Sequence, residues 1–169
     1  LDTSIFDSVE IVRGANGLMT GAGNPSATVN MVLKRPTYQT QVNASVSYGS
    51  WDNKRLELDA STAINENHAV RAVFTKHKTE SYLDRYEQDK TIYYLAYEGQ
   101  LTDSTVVTAN YVNQKKDADS PLWGALPLYY SDGSATNFDA STSTASDWSY
   151  WNNTTEQLFL SIEKEITNT

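Results

Sequence analysis

The sequence predicts an all-β chain built from long antiparallel strands, and three observations carry that prediction. From Tyr38 onward apolar residues recur with a period of two, the period of a strand. The predicted strands run about 11–13 residues, longer than the ~5–6 usual in globular sheets and matched to the ~9–11 that a tilted strand needs to cross a bilayer. The connections between them alternate between short and long. These features fit two architectures. One is a stretch of transmembrane barrel, with tight turns at one rim and long loops at the other. The other is a soluble β-sandwich with the same alternation.

The elements follow in order. Val42, Ala44, Val46 and Tyr48 alternate with Gln41, Asn43, Ser45 and Ser47, and Gly49-Ser50 marks a tight turn. Leu56, Leu58 and Ala60 alternate with Arg55, Glu57, Asp59 and Ser61, up to a turn at Asn65-Glu66-Asn67. Val70, Ala72 and Phe74 then oppose Arg71 and Thr75. A polar stretch over 79–90 reads as a medium loop. Tyr93, Leu95 and Tyr97 oppose Ala96, Glu98 and Gln100, before a turn at Thr102-Asp103-Ser104. Val107, Ala109 and Tyr111 oppose Thr108 and Asn110; after a long loop at about 116–153, Leu158, Leu160 and Ile162 oppose Gln157, Ser161, Glu163 and Glu165. Six strands fall short of the ~8 needed to close the smallest single-chain membrane barrel, so a barrel reading makes the chain incomplete. The opening Leu1-Asp2-Thr3-Ser4 likewise reads as the start of an excerpt.

Composition narrows the function. Of 169 residues, 39% are hydrophobic and 11% aromatic, with 11 Tyr, which suits a sheet with one wet and one greasy face. A net charge of −8 argues against a nucleic-acid partner, which requires a basic stripe to neutralise phosphates. With no cysteine there is no disulfide, thiolate metal site or Cys nucleophile. No apolar run approaches the ~20 residues of a membrane helix, which leaves barrel strands untouched.

The segment before the strands reads as a strand, a glycine-dense turn region and a second strand from Ala27 to Lys34, ended by Pro36. Gly14, Gly17, Gly21 and Gly23 permit positive φ and close backbone approach. A phosphate-cradling loop is disfavoured, because Gly21-Ala22-Gly23-Asn24-Pro25-Ser26 lacks the last glycine of the fingerprint and runs into a strand rather than a helix. Val9-Glu10-Ile11-Val12-Arg13-Gly14, the Gly-rich middle and Val29-Asn30-Met31-Val32 ending in Lys34-Arg35-Pro36 closely resemble the end of the plug domain of TonB-dependent outer-membrane receptors. Arg13-Gly14-Ala15-Asn16-Gly17-Leu18-Met19 with Asn24-Pro25-Ser26-Ala27 resembles the ferric-pyoverdine and ferric-coprogen (hydroxamate-type) branch. Pro121-Leu122-Trp123-Gly124, Leu128-Tyr129-Tyr130-Ser131-Asp132-Gly133 and Asp147-Trp148 resemble the third outer loop of that branch.

The resemblance implies a partial transmembrane antiparallel β-barrel, about six of an expected ~22 strands, preceded by the C-terminal part of a plug. Residues 1–36 belong to the plug and 37–169 to the first barrel strands. It implies a bacterial outer-membrane receptor that transports a ferric siderophore. Its partners are the siderophore, outer-membrane lipid, and an inner-membrane TonB energy-transducing complex acting through an N-terminal segment outside this chain. The resemblance also implies that Arg13 pairs with barrel glutamates and locks plug to barrel, with its partners beyond residue 169.

The stretch 117–153 concentrates chemistry: Trp123, Trp148 and Trp151 with Tyr129, Tyr130, Tyr150 and Phe138, five acids, and no Lys or Arg. Loops this long are usually functional or disordered, and disordered loops are poor in aromatics. Rigid rings grip an organic chelate at low entropic cost. The expected siderophore-binding residues are Trp123 and Trp151, with Tyr129, Tyr130 and Trp148 beside them. The blander reading packs the rings against the loop itself or places them in a membrane-surface girdle. Asp117 and Asp119 lack the glycine and terminal Glu of a calcium loop, and His68 and His77 read as solvated polar positions. No protein metal site or cofactor is expected, since iron arrives within the siderophore, and no nucleophile–base constellation suggests an enzyme. The loop's acids disfavour a strongly anionic chelate. Two alternatives remain: the same fold importing haem, cobalamin or a glycan, and a secreted β-sandwich binding sugar through the aromatic loop.

Overall fold

The computed structural model describes residues 2–14, 21 and 27–166. Alternating side chains build eight strands, and no α-helix occurs among the described residues. A short 3-10 turn (Thr3–Ile5) leads into β1 (Phe6–Arg13), which pairs antiparallel with β2 (Ala27–Leu33). Six further strands form one antiparallel meander in sequence order: β3 (Gln41–Gly49), β4 (Asn53–Asn65), β5 (His68–Glu80), β6 (Glu87–Thr102), β7 (Thr105–Asp119) and β8 (Tyr150–Lys164). Gly14 and Gly21 hold φ of +108° and +75°, as the glycine-dense turn requires. Gly17 and Gly23, with the motif residues 15–20 and 22–26, lie outside the described residues.

The meander segregates its connections. Turns 66–67 and 103–104 lie at one end, whereas 50–52, 81–86 and 120–149 lie at the other. Two boundaries differ from the sequence reading. The predicted loop 79–90 shrinks to 81–86, and the one predicted at about 116–153 spans 120–149. At the first boundary the ladder continues through residues that are polar on both faces, so the hydrophobic alternation fades while pairing persists; at the second, Ala118 pairs with Trp151 and Asp119 with Tyr150. Cross-strand ion pairs take over at the first: Lys78 with Glu87 at 2.6 Å, and Lys76 with Asp89. The histidines are not freely solvated either. Both are half-buried; the His68 Nδ1 and the Tyr97 hydroxyl share a hydrogen bond of 2.8 Å, and the His77 ring bonds Asn53 Oδ1 at 3.2 Å. The Tyr97–His68 pair closes over Gly99, where a Cβ would sit 2.2 Å from the Tyr97 hydroxyl oxygen.

Register sorts the sheet into two unlike faces. Across the sheet, Val42 lies opposite Ala60, Leu58 opposite Phe74, Ala72 opposite Leu95, and Tyr111 opposite Leu158, all on one open face. Nothing covers this face among the described residues: Val46 is 81% exposed and Leu158 79%. Above its apolar band the same face carries the Lys–acid pairs just described.

The opposite face is covered by the N-terminal segment. Ile5, Phe6 and Leu33 pack on Val73, Ile92, Tyr94, Ala96 and Val112, forming a hydrophobic core where the sequence pattern suggested mostly polar positions. Around that core the polar alternates are paired. Asp59, 5% exposed, accepts hydrogen bonds from Lys34 at 2.8 Å and from Arg71 at 2.7 and 2.8 Å. Asp2 is gripped by both Arg55 Nη atoms at 2.8 and 2.9 Å and by Lys90 at 3.2 Å. Arg35 bonds Glu98 Oε2, its Nε at 2.9 Å, and the Tyr94 hydroxyl donates to the Lys34 carbonyl at 2.7 Å.

Removing one carboxylate from a buried network strands its cations, at a cost of about 3–5 kcal/mol. Asp59→Ala is therefore expected to lower the thermal unfolding midpoint of the intact protein and to loosen the N-terminal segment. Hydrogen exchange over residues 27–36 should show the loosening; protection equal to wild type would place the holding force elsewhere.

Candidate ligand-binding site

The three longer connections crowd one end of the sheet, and two of them build a cleft. Ser120, with φ of +47°, turns the chain off β7. Its N–H donates to the Ser149 carbonyl at 2.8 Å and its hydroxyl to the Ser146 carbonyl at 3.1 Å, which closes the neck of the long loop. Arg85 of the neighbouring loop donates to the Ser143 and Ala145 carbonyls at 3.1 and 2.6 Å, while the Asp84 N–H reaches Ser141 O at 2.8 Å. The long loop is thus tied to its neighbour by backbone carbonyls, which any side chain with matching donors can use. A small hairpin inside it pairs Tyr129 with Ala135. At its tip Asp132 accepts the Ser134 hydroxyl and N–H, which holds the Asp132 carboxyl below the usual range.

Period two decides which side chains reach the cleft. Trp151 pairs with Ala118 and Asn153 with Lys116, so all four project from the covered face, above the N-terminal segment. Trp123, carried back by the loop, stacks on Trp151 with centroids 4.4 Å apart and planes 9° from parallel. Both rings keep outward surface, at 66% and 48% exposure. They wall a cleft of about 730 Å³ with Tyr86, Leu122, Lys116 and Asn153. A cleft of this size, aromatic on one side with a few polar groups, has the make-up of a small-molecule site.

Of the residues singled out from sequence, Trp123 and Trp151 come together at the cleft. Tyr129, Tyr130 and Trp148 are exposed and line no part of it. Arg13 ends β1 exposed and makes no ion pair among the described residues. The pairing between N-terminal segment and sheet runs instead through Asp2, Lys34 and Arg35. Sequence reasoning missed Tyr86 and Lys116. Carrying the period of two past Tyr111 would have placed Lys116 with Val112 on the covered face. Among the described residues no group of three or more His, Cys, Asp or Glu could hold a metal ion.

No protein-family model matches the chain. It is 40% identical over 167 residues to the ferric-pyoverdine BN7/BN8 receptor of Pseudomonas putida, covering 98% of this chain and 21% of that protein. It is 35% identical over 170 residues to the ferripyoverdine receptor of Pseudomonas aeruginosa, covering 99% and 21%. The crystal structure of the ferripyoverdine receptor of the outer membrane of Pseudomonas aeruginosa bound to ferripyoverdine superposes with a TM-score of 0.90 at 35% identity, over 98% of this chain and 22% of that one. The chain spans about a fifth of the length of the curated relatives it matches.

Arg85→Ala removes the two side-chain ties to the long loop and leaves the Asp84–Ser141 backbone bond. Loss of two hydrogen bonds should then raise opening of the loop roughly tenfold. Limited proteolysis is expected to cut within 139–149 faster by that order, with the strands left intact.

Proposed function

Because this chain belongs, as one stretch of a longer receptor, to the TonB-dependent siderophore receptors of the bacterial outer membrane, we propose that the whole protein imports a ferric siderophore and that the Trp123–Trp151 cleft forms part of the binding mouth. The observation that carries this reading is the stacked tryptophan pair on the covered face at the end where the long loops gather. A ligand there meets flat apolar rings from above, with the N-terminal segment beneath it. Residues 1–36 are then the C-terminal part of the plug and 37–169 the first barrel strands, with the 120–149 loop outside the cell. The open face meets lipid through Val42, Val46, Leu56, Leu58, Phe74, Leu95, Val107, Leu158 and Leu160.

One structural feature fits the transport reading: the plug segment is held to the barrel wall by ion pairs, which can be broken and remade without chemistry. In this reading iron enters wrapped by its chelator, and an inner-membrane TonB complex supplies the energy. Ferripyoverdine, named for the relatives, is the first cargo to test.

Truncating a buried aromatic anchor costs at least ~2 kcal/mol, roughly thirtyfold in affinity. Trp123→Ala in the full receptor should weaken ferripyoverdine binding by that order and leave the amount of receptor in the membrane unchanged. Trp148→Ala, which alters a ring outside the cleft, should change it far less. Wild-type affinity for both Trp123→Ala and Trp151→Ala in titrations would assign the rings to loop packing.

The membrane half of the reading has its own check. Arg in place of Leu58, near mid-belt, is expected to destabilise the barrel by ~2–4 kcal/mol. Spin labels at Val46, Leu58, Leu95 and Leu158 should report lipid; water contact at all four would exclude a membrane-spanning sheet.

A further inference from the structure

Among the described residues, every Lys and Arg that the sheet projects from its covered face or that the N-terminal segment lays against it has a carboxylate, with one exception. Arg55 and Lys90 share Asp2, Arg71 and Lys34 share Asp59, and Arg35 takes Glu98. Lys116 has no carboxylate within ion-pair distance among the described residues, although it is half-buried. Its chain neighbours do not supply one. Asp117 projects to the open face and pairs with Lys115 at 2.8 Å, and Asp119 shares that face. The loop acids Asp132, Asp139 and Asp147 line no part of the cleft. Directly across the ladder stands Lys90, itself a cation engaged with Asp2, so the facing strand offers Lys116 no counter-charge. A chain of net charge −8 therefore presents a cationic spot inside its aromatic cleft. The loop acids from which a strongly anionic chelate was disfavoured line no part of the cleft itself.

An ammonium left unpaired in a partly desolvated site gains most from an anion brought by the ligand. We infer that Lys116 is the specificity-determining cation of the cleft, pairing with an ionised oxygen of an anionic ferric chelate that lies against Trp123 and Trp151. This rests on the receptor reading above and adds to it the charge of the cargo. The rings grip shape and tolerate many planar groups; Lys116 selects among them by charge.

The test uses the full-length receptor in detergent micelles with ferripyoverdine as the probe, read by quenching of tryptophan fluorescence. Lys116→Gln should weaken binding about tenfold, the loss of one charge-assisted bond, and flatten the dependence of affinity on salt. Lys116→Arg should stay near wild type and keep the salt dependence. Wild-type affinity and salt dependence in Lys116→Gln, while Trp123→Ala is impaired, overturns the assignment of Lys116 alone. Equal losses in Lys116→Gln and Lys116→Arg, with unchanged melting temperature, overturn it too, since shape and not charge is then being read. No saturable binding by wild type removes the pyoverdine-receptor reading, and this inference with it.

Discussion

Asp59 and Asp2 are the fixed points of the molecule. A six-stranded meander has two faces, and on one of them the strands carry Arg55, Arg71 and Lys90 inward. Those cations tolerate burial only because three carboxylates, Asp59 and Glu57 from the sheet and Asp2 from the N-terminal segment, sit among them. Inside this ring of ion pairs Ile5, Phe6 and Leu33 pack on Val73, Ile92 and Tyr94, and the ion pairs fix the register of that contact. The sheet's open face contributes nothing to this attachment. The rim of the contact between segment and sheet is polar, specific in register, and separable.

Under the proposed receptor reading, in which residues 1–36 end a plug that must yield for cargo to pass, that polarity has a mechanical meaning. A plug fixed by a large greasy interface would separate only by exposing it. A plug fixed by ion pairs can exchange them for water at modest cost, one pair at a time. The partly exposed Arg35–Glu98 pair is the easiest of these to hydrate, and the buried Asp59 cluster the hardest. The C-terminal end of the plug segment is thus graded from loose to firm around Pro36.

Much of the sheet was legible in the sequence because its open face is uncovered: Val42, Leu58, Leu95 and Leu158 alternate with polar residues with little interruption. The covered face was harder to read. Val73, Ile92 and Val112 break the polar alternation because they meet the N-terminal segment, a contact that no local pattern announces. The strand ends were misread for a related reason, since Lys78 and Glu87 sustain pairing without any apolar contrast. At the site, the density of rings pointed to one loop, and the resemblance to the receptor branch singled out Trp123 and Trp151 within it. Lys116 was overlooked because it lies beyond the apolar period, and Tyr86 because the loop that carries it appeared longer and plainer than it is. Arg13 drew attention through its motif, with its expected partners beyond residue 169; Asp2, which carries no motif, makes its contacts within the described residues.

The face-to-face tryptophan pair also determines how substitutions at the cleft combine. At 4.4 Å the two rings are each other's principal neighbours, and such stacking contributes about 0.5–1.5 kcal/mol beyond area. Removing Trp123 leaves Trp151 with a bare inner surface and new rotational freedom, so a single change disturbs both halves of the wall. Losses from the two positions will not sum: the second deletion removes a ring that the first has already disordered. The two positions therefore act as one unit of the cleft wall, and a substitution that keeps its shape has to exchange both rings together.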